Sequence, residues 1–270
     1  MRRHAGGGYL GSALIALAAL AAVAGMIHTP HDPYAMDFAT RLGAPSLAHP
    51  LGTDQFGRDI VSRLMLGARV ALLSGAVAVG VASLLGTAVG ILAGYRGGLL
   101  DEGLMRVMDA LYAFPALLLA LLFAAIAQPG LISAMLAIGL AGVPIFARLA
   151  RSSIYTLRAL PFTEAARALG ASPARVLLRH LVPNAVGPLI VQATQSLALA
   201  ILAEAALSFL GLGVQPPFPS WGSMLREAQS FLPLSPWPAV WPGLAIALTV
   251  LGFTLLGDAL RDRLDPRQRA

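Results

Sequence analysis

Six stretches of the chain stay apolar for about as long as a helix needs to cross a lipid bilayer, and nothing else in the sequence constrains the fold as tightly. A spanning helix takes about 20 predominantly apolar residues, because its rise must cover a hydrocarbon core roughly 30 Å thick. The stretches are 9–27, 68–95, 104–127, 131–149, 185–209 and 240–256. They predict an all-α polytopic membrane protein with six transmembrane helices. Composition agrees: 57% of the residues are hydrophobic and 12% charged, against about 25% charged in soluble domains. Arg2 and Arg3 before an apolar run, with Ala22-Val23-Ala24 inside it, resemble a secretory signal. The length of that run and the five spans after it favour a retained helix.

Arginine sets the orientation. With the N-terminus in the cytoplasm, only Arg41, Arg58, Arg63, Arg69 and Arg226 fall on outer segments, and the other fourteen of the 19 arginines fall on inner ones. The positive-inside bias therefore places both termini in the cytoplasm. It also accounts for the net charge of +6 without nucleic acid.

Missing residue types exclude chemistry. All 19 basic residues are arginine. Without lysine the chain has no Walker A loop and no Schiff-base nucleophile, so any ATP hydrolysis belongs to a partner. There is no cysteine, hence no thiolate metal site. His28 and His31 are three residues apart but have no evident third ligand, so no metal site is expected. No His-Glu-x-x-His or Gly-x-Ser-x-Gly occurs, and no catalytic residue or cofactor is expected.

The glycines of the second span (Gly75, Gly80, Gly86, Gly90, Gly94) read as close helix packing. Asp109 and Glu204 are carboxylates within spans. Glu204 is a candidate for the translocation path, with a buried hydrogen bond as the plainer reading. Residues 53–65 read as an amphipathic helix on the outer surface, capped by Thr53 or Asp54, with Arg58, Asp59 and Arg63 on its wet face. The proline-rich outer segment 210–238 reads as a rigid loop.

The cytoplasmic loop 158–184 is the most informative stretch. Pro161 suits a first helical turn, and Glu164 sits where the helix dipole favours an acid. Ala165, Ala166, Ala168 and Leu169 are good helix formers, and Gly170 can end the helix in a left-handed conformation. Ser172 then caps a second helix with Pro173 at its first position, and Pro183 marks its end. Two short helices meeting at a stiff corner can seat in a partner's groove, and Arg167 and Arg175 could add charge contacts. A passive connector between spans would have the same composition.

Glu164-Ala165-Ala166, then Gly170, then Pro183 resembles the cytoplasmic signature of bacterial ABC-importer permeases. His180 and Val182 depart from its general form, and His180 followed by Pro183-Asn184 is similar to the dipeptide, oligopeptide and nickel branch. So are His49-Pro50-Leu51-Gly52-Thr53-Asp54, Gly57-Arg58-Asp59, Ala113-Phe114-Pro115, Ser220-Trp221-Gly222 and the tail around Leu264-Asp265-Pro266. The resemblance implies a type I importer fold in a bacterial inner membrane. It implies a second homologous permease as heterodimer partner, two ATPase subunits and an extracytoplasmic substrate-binding protein. Glu164, Ala165, Ala166, Arg167, Gly170, Ser172, Pro173 and Pro183 would form the ATPase-coupling loop. Three divisions follow: 1–66 with the first span and outer segment, a permease core at 67–260, and a cytoplasmic tail at 261–270. Di- or oligopeptide is the expected substrate, a nickel or other metal complex the alternative. An ion-gradient transporter is the rival class, and it would need internal repeats and midplane ion sites.

Overall fold

A computed structural model describes residues 2–264, so the end of the expected tail, 265–270, lies outside the described residues. The chain is helical nearly throughout: α1 (Arg2–Ile27), α2 (Ile60–Arg96), α3 (Gly98–Ala113), α4 (Ala116–Ala127), α5 (Leu131–Arg158), α6 (Pro161–Ala168), α7 (Pro173–Val176), α8 (Val182–Phe209), α9 (Trp221–Ala228) and α10 (Trp237–Leu264). Five of these, α1, α2, α5, α8 and α10, are long and apolar enough to cross a membrane.

The expected third span is instead two helices. α3 and α4 meet at 85° around Phe114-Pro115, so 104–127 is a broken span or a re-entrant element. Pro115 explains the break, since it has no N–H to donate and disfavours helical geometry at Phe114. α2 is longer than expected, at 37 residues, or about 55 Å.

The α2–α5 pair forms the centre. A Cβ at Gly86 would run into the carbonyl of Val143, and one at Gly90 into that of Ala147. One at Gly94 would sit 2.7 Å from the Arg151 carbonyl. These glycines, one turn apart, let two backbones approach where burial from water cannot drive association. Asp101 of α3 then accepts two hydrogen bonds from Arg151 of α5, at 2.6 and 2.7 Å. On the other side α1 packs on α10, where a Cβ at Gly11 would meet the Gly252 carbonyl at 2.7 Å.

No amphipathic helix lies over 53–65. Thr53 and Asp59 form an antiparallel bridge, and α2 starts directly at Ile60. The cap is Asp59, whose side chain accepts from Ser62 N–H. Thr53, Asp54, Gln55, Arg58, Asp59 and Arg63 are buried, not solvated. Arg58 donates to Asp54 at 2.6 Å, and Arg58, Arg63 and Gln55 all converge on Glu227 of α9. The expected wet face is thus an internal ion-pair network joining the two outer segments. The second of these is not loop alone, because Ser220 and Ser223 close a capping box at the start of α9.

Candidate functional site

Residues 158–184 fold as the two-helix corner that their punctuation predicts. Pro161 opens α6 with Glu164 in its first turn. Gly170 follows at φ +82°. Gly170 N–H donates to the Arg167 carbonyl at 2.9 Å and Ala171 N–H to that of Ala166 at 3.1 Å. Those two bonds are a Schellman closure, which requires the left-handed residue that glycine supplies. Ser172 then accepts from Arg175 N–H and caps α7, with Pro173 at its first position.

Pro183 does not end α7. Residues Leu177–Leu181 form a π turn that leads straight into α8, with Pro183 in the first turn of α8. A widened turn suits a residue that has no N–H to give. Asn184 folds back onto the His180 carbonyl at 2.6 Å, so the His180 and Pro183-Asn184 pattern is a local device for carrying the chain through this turn.

Burial divides the loop. Thr163, Ala166, Val176 and Leu181 face inward, and the three apolar ones form a cluster with Ile154 of α5 and Ala185 of α8, against which Ile91 and Tyr95 of α2 pack. Ile154, Val176 and Leu181, buried there, contribute about 1.5–3 kcal/mol each. Polar ties reinforce the seat. Tyr95 Oη donates to the Pro173 carbonyl at 3.0 Å, Arg158 donates to the Tyr95 carbonyl at 2.6 Å, and Thr163 Oγ1 donates to the Leu157 carbonyl at 2.8 Å. Glu164, Ala165, Arg167, Gly170, Ser172, Pro173 and Arg175 are exposed. Ala166 is not part of that rim; it belongs to the inward face. Leu169, which sequence reasoning passed over as a helix former, is 89% exposed at the corner, with Phe162 and Leu178 also exposed. The sequence shows an apolar residue just before the helix-ending Gly170, but no local pattern says whether it faces inward or outward.

Glu204 stands elsewhere. It is 1% exposed and its carboxylate accepts from Ser208 Oγ at 2.7 Å, while Ser208 Oγ accepts from Val214 N–H at 3.1 Å. In this single chain it faces packed protein, and it ties the outer end of α8 to the segment that follows.

Residues 86–270 match the family described as binding-protein-dependent transport system inner membrane component. The chain belongs to that family. Among curated members of this transport family, the dipeptide transport system permease protein DppC of Alkalihalophilus pseudofirmus is 46% identical over 232 residues, covering 86% of this chain and 76% of the relative. The glutathione transport system permease protein GsiD of Pectobacterium atrosepticum is 45% identical, covering 84% and 75%. Among solved structures, a chain of the inward-facing MetNI methionine ABC transporter superposes with TM-score 0.61 at 19% identity, covering 75% of this chain and 96% of that one. That likeness supports the type I permease fold alone. As a permease of this family, the chain is a non-catalytic transport subunit, and ATP hydrolysis belongs to partner ATPases. The ion-gradient reading falls with that membership, and neither relative named here supports the nickel alternative.

Proposed function

We propose that this chain forms half of a peptide-import pathway in a bacterial inner membrane, with a second, homologous permease supplying the other half. We further propose that ATPase subunits dock on the exposed rim Glu164-Ala165, Leu169-Gly170 and Ser172-Pro173. The observation that carries this is the two-sidedness of the loop: a bare, stiff rim outside, and a cluster inside that grips α2, α5 and α8 together. A partner that moves the rim moves three spans at once. Nucleotide-driven closure of the ATPases would then bias a two-state equilibrium of the pathway. The inward-facing Ala166 keeps the loop seated, and Arg167 and Arg175 are exposed where charge contacts to a partner can form.

Short peptides are the favoured substrate because dipeptide and glutathione permeases stand among the relatives. An outer cavity of about 560 Å³, lined by Tyr34, Arg69, Leu73, Leu131, Gln215 and Phe218 among others, is the proposed entrance on the side where a substrate-binding protein delivers. Glu204 is proposed as an anchor of the outer segment rather than a contact for substrate.

Leu169→Glu tests the docking rim. The variant should insert normally but bring down less than a tenth of the wild-type ATPase in detergent, and ATP-driven peptide uptake in proteoliposomes should fall in parallel. Full co-purification and uptake would remove the rim from the mechanism. Uptake that survives ATP depletion and collapses with the proton gradient would overturn the importer itself.

A further inference from the structure

The fold brings together three side chains that the sequence keeps apart. His31 follows α1, His49 sits in the turn 46–52, and Asp59 caps α2. One ligand atom from each lies within 4.8 Å of the others. His49 Nδ1 is 3.0 Å from Asp59 Oδ1, and His31 Nδ1 is 3.7 Å from the same oxygen. The rings lie 4.5 Å apart between centroids, tilted by 37°.

We propose that His31, His49 and Asp59 form an outer-face site for a divalent transition metal of the zinc type, with one coordination position open to solvent. Four arguments support it. First, the spacing fits. Bonds of roughly 2.0–2.2 Å in a tetrahedral zinc site put neighbouring ligand atoms roughly 3.3–3.5 Å apart, and the two distances to Oδ1 bracket that value. Hydrogen bonding alone satisfies one imidazole, since 3.7 Å is too long for a hydrogen bond.

Second, the carboxylate is held for the task. Asp59 Oδ2 is occupied by Ser62 N–H and Ser62 Oγ, each at 2.8 Å, which leaves Oδ1 for the imidazoles. Such outer hydrogen bonds orient metal ligands. Third, both histidines are fixed through their backbones. His31 N–H donates to Ser62 Oγ at 3.0 Å. His49 N–H donates to Ser46 Oγ at 3.1 Å, and its carbonyl accepts from Ser46 and Gly52 at 2.9 Å. Fourth, burial is graded. The Asp59 side chain is 0% exposed, that of His49 20% and that of His31 43%. The site therefore opens on one side only, where a water or a donor from outside completes the set. Two imidazoles and a carboxylate select zinc, nickel or copper over magnesium and calcium. Metal bound there clips the outer segment, the 46–52 turn and the start of α2 into one unit.

The test uses the assembled transporter purified through a tag without histidine, stripped with chelator and titrated with Zn²⁺ against a chromophoric competitor. His31→Ala leaves the Asp59 cap untouched, and His28→Ala removes a neighbouring histidine outside the cluster. Wild type and His28→Ala should each bind one more Zn²⁺ per copy of this chain than His31→Ala, whose affinity at the site should fall at least tenfold. X-ray absorption of the wild type minus His31→Ala difference should show two imidazole nitrogens. Equal stoichiometry and affinity in wild type and His31→Ala, or equal displacement of Zn²⁺ by Mg²⁺, would overturn the site. The readout is binding, so it stands apart from whether the chain transports peptides.

Discussion

Glu204 is a fully buried acid whose partner, Ser208, also holds the turn to Val214. Its role divides cleanly between two substitutions. Glu204→Gln keeps an acceptor for the Ser208 hydroxyl, so uptake and the thermal midpoint of the detergent-solubilised complex should stay near wild type. Glu204→Leu leaves the proton of that buried hydroxyl without its acceptor, which costs about 1–3 kcal/mol and should lower the midpoint by several degrees. Loss of uptake in Glu204→Gln at unchanged stability would instead show that the path needs the charge. The same logic explains why Arg58, Asp59 and Arg63 were misread from sequence. Their spacing suits the wet face of a helix, where an Asp54–Arg58 pair four residues apart reads as solvated, and only the fold brings Glu227, more than 160 positions away, onto both arginines. No local pattern encodes a partner at that distance.

At the scale of elements, helix contact rests on missing side chains. A Cβ at Gly90 would run into the Ala147 carbonyl and sit 2.8 Å from Ala150 Cβ, while a Cβ at Gly80 on the same helix meets nothing within 4 Å. Gly90→Ala should therefore force α2 from α5 and destabilise by about 1–3 kcal/mol, the usual cost of overpacking. Gly80→Ala should leave the thermal midpoint unchanged or raise it slightly, since alanine is the better helix former. Equal midpoints for the two variants would count against the glycine seam. The Gly86, Gly90 and Gly94 repeat, the α6 corner with its Gly170 closure, and the Ser172 cap were legible, because each is a pattern of residues near one another in sequence; that Gly80 stands outside the seam was not. The bend at Pro115 and the π turn before Pro183 were not. A proline marks a disturbance, but whether it ends a helix, breaks a span or is absorbed by a wider turn depends on what packs around it.

For the whole molecule, the absence of cysteine makes the topology directly testable. Leu47 in the outer segment and Leu99 at the start of α3, outside the proposed docking rim, are both highly exposed. Leu47→Cys should react with a membrane-impermeant maleimide in intact cells, and Leu99→Cys only after permeabilisation; the reverse pattern would invert the chain. That orientation, the helical class, the positions of most spans and the need for a partner ATPase were determined by the sequence itself. Hydrophobic run length, arginine placement and the lack of lysine act without regard to how the helices pack. The tertiary structure alone decided which face of the loop 158–184 is bare and which is gripped. It alone turned the outer segment from a surface helix into a buried network, and it brought His31 and His49 to Asp59. The reason is physical: transfer of apolar segments into lipid is a local property of the chain, whereas buried polar groups must find partners wherever the fold supplies them.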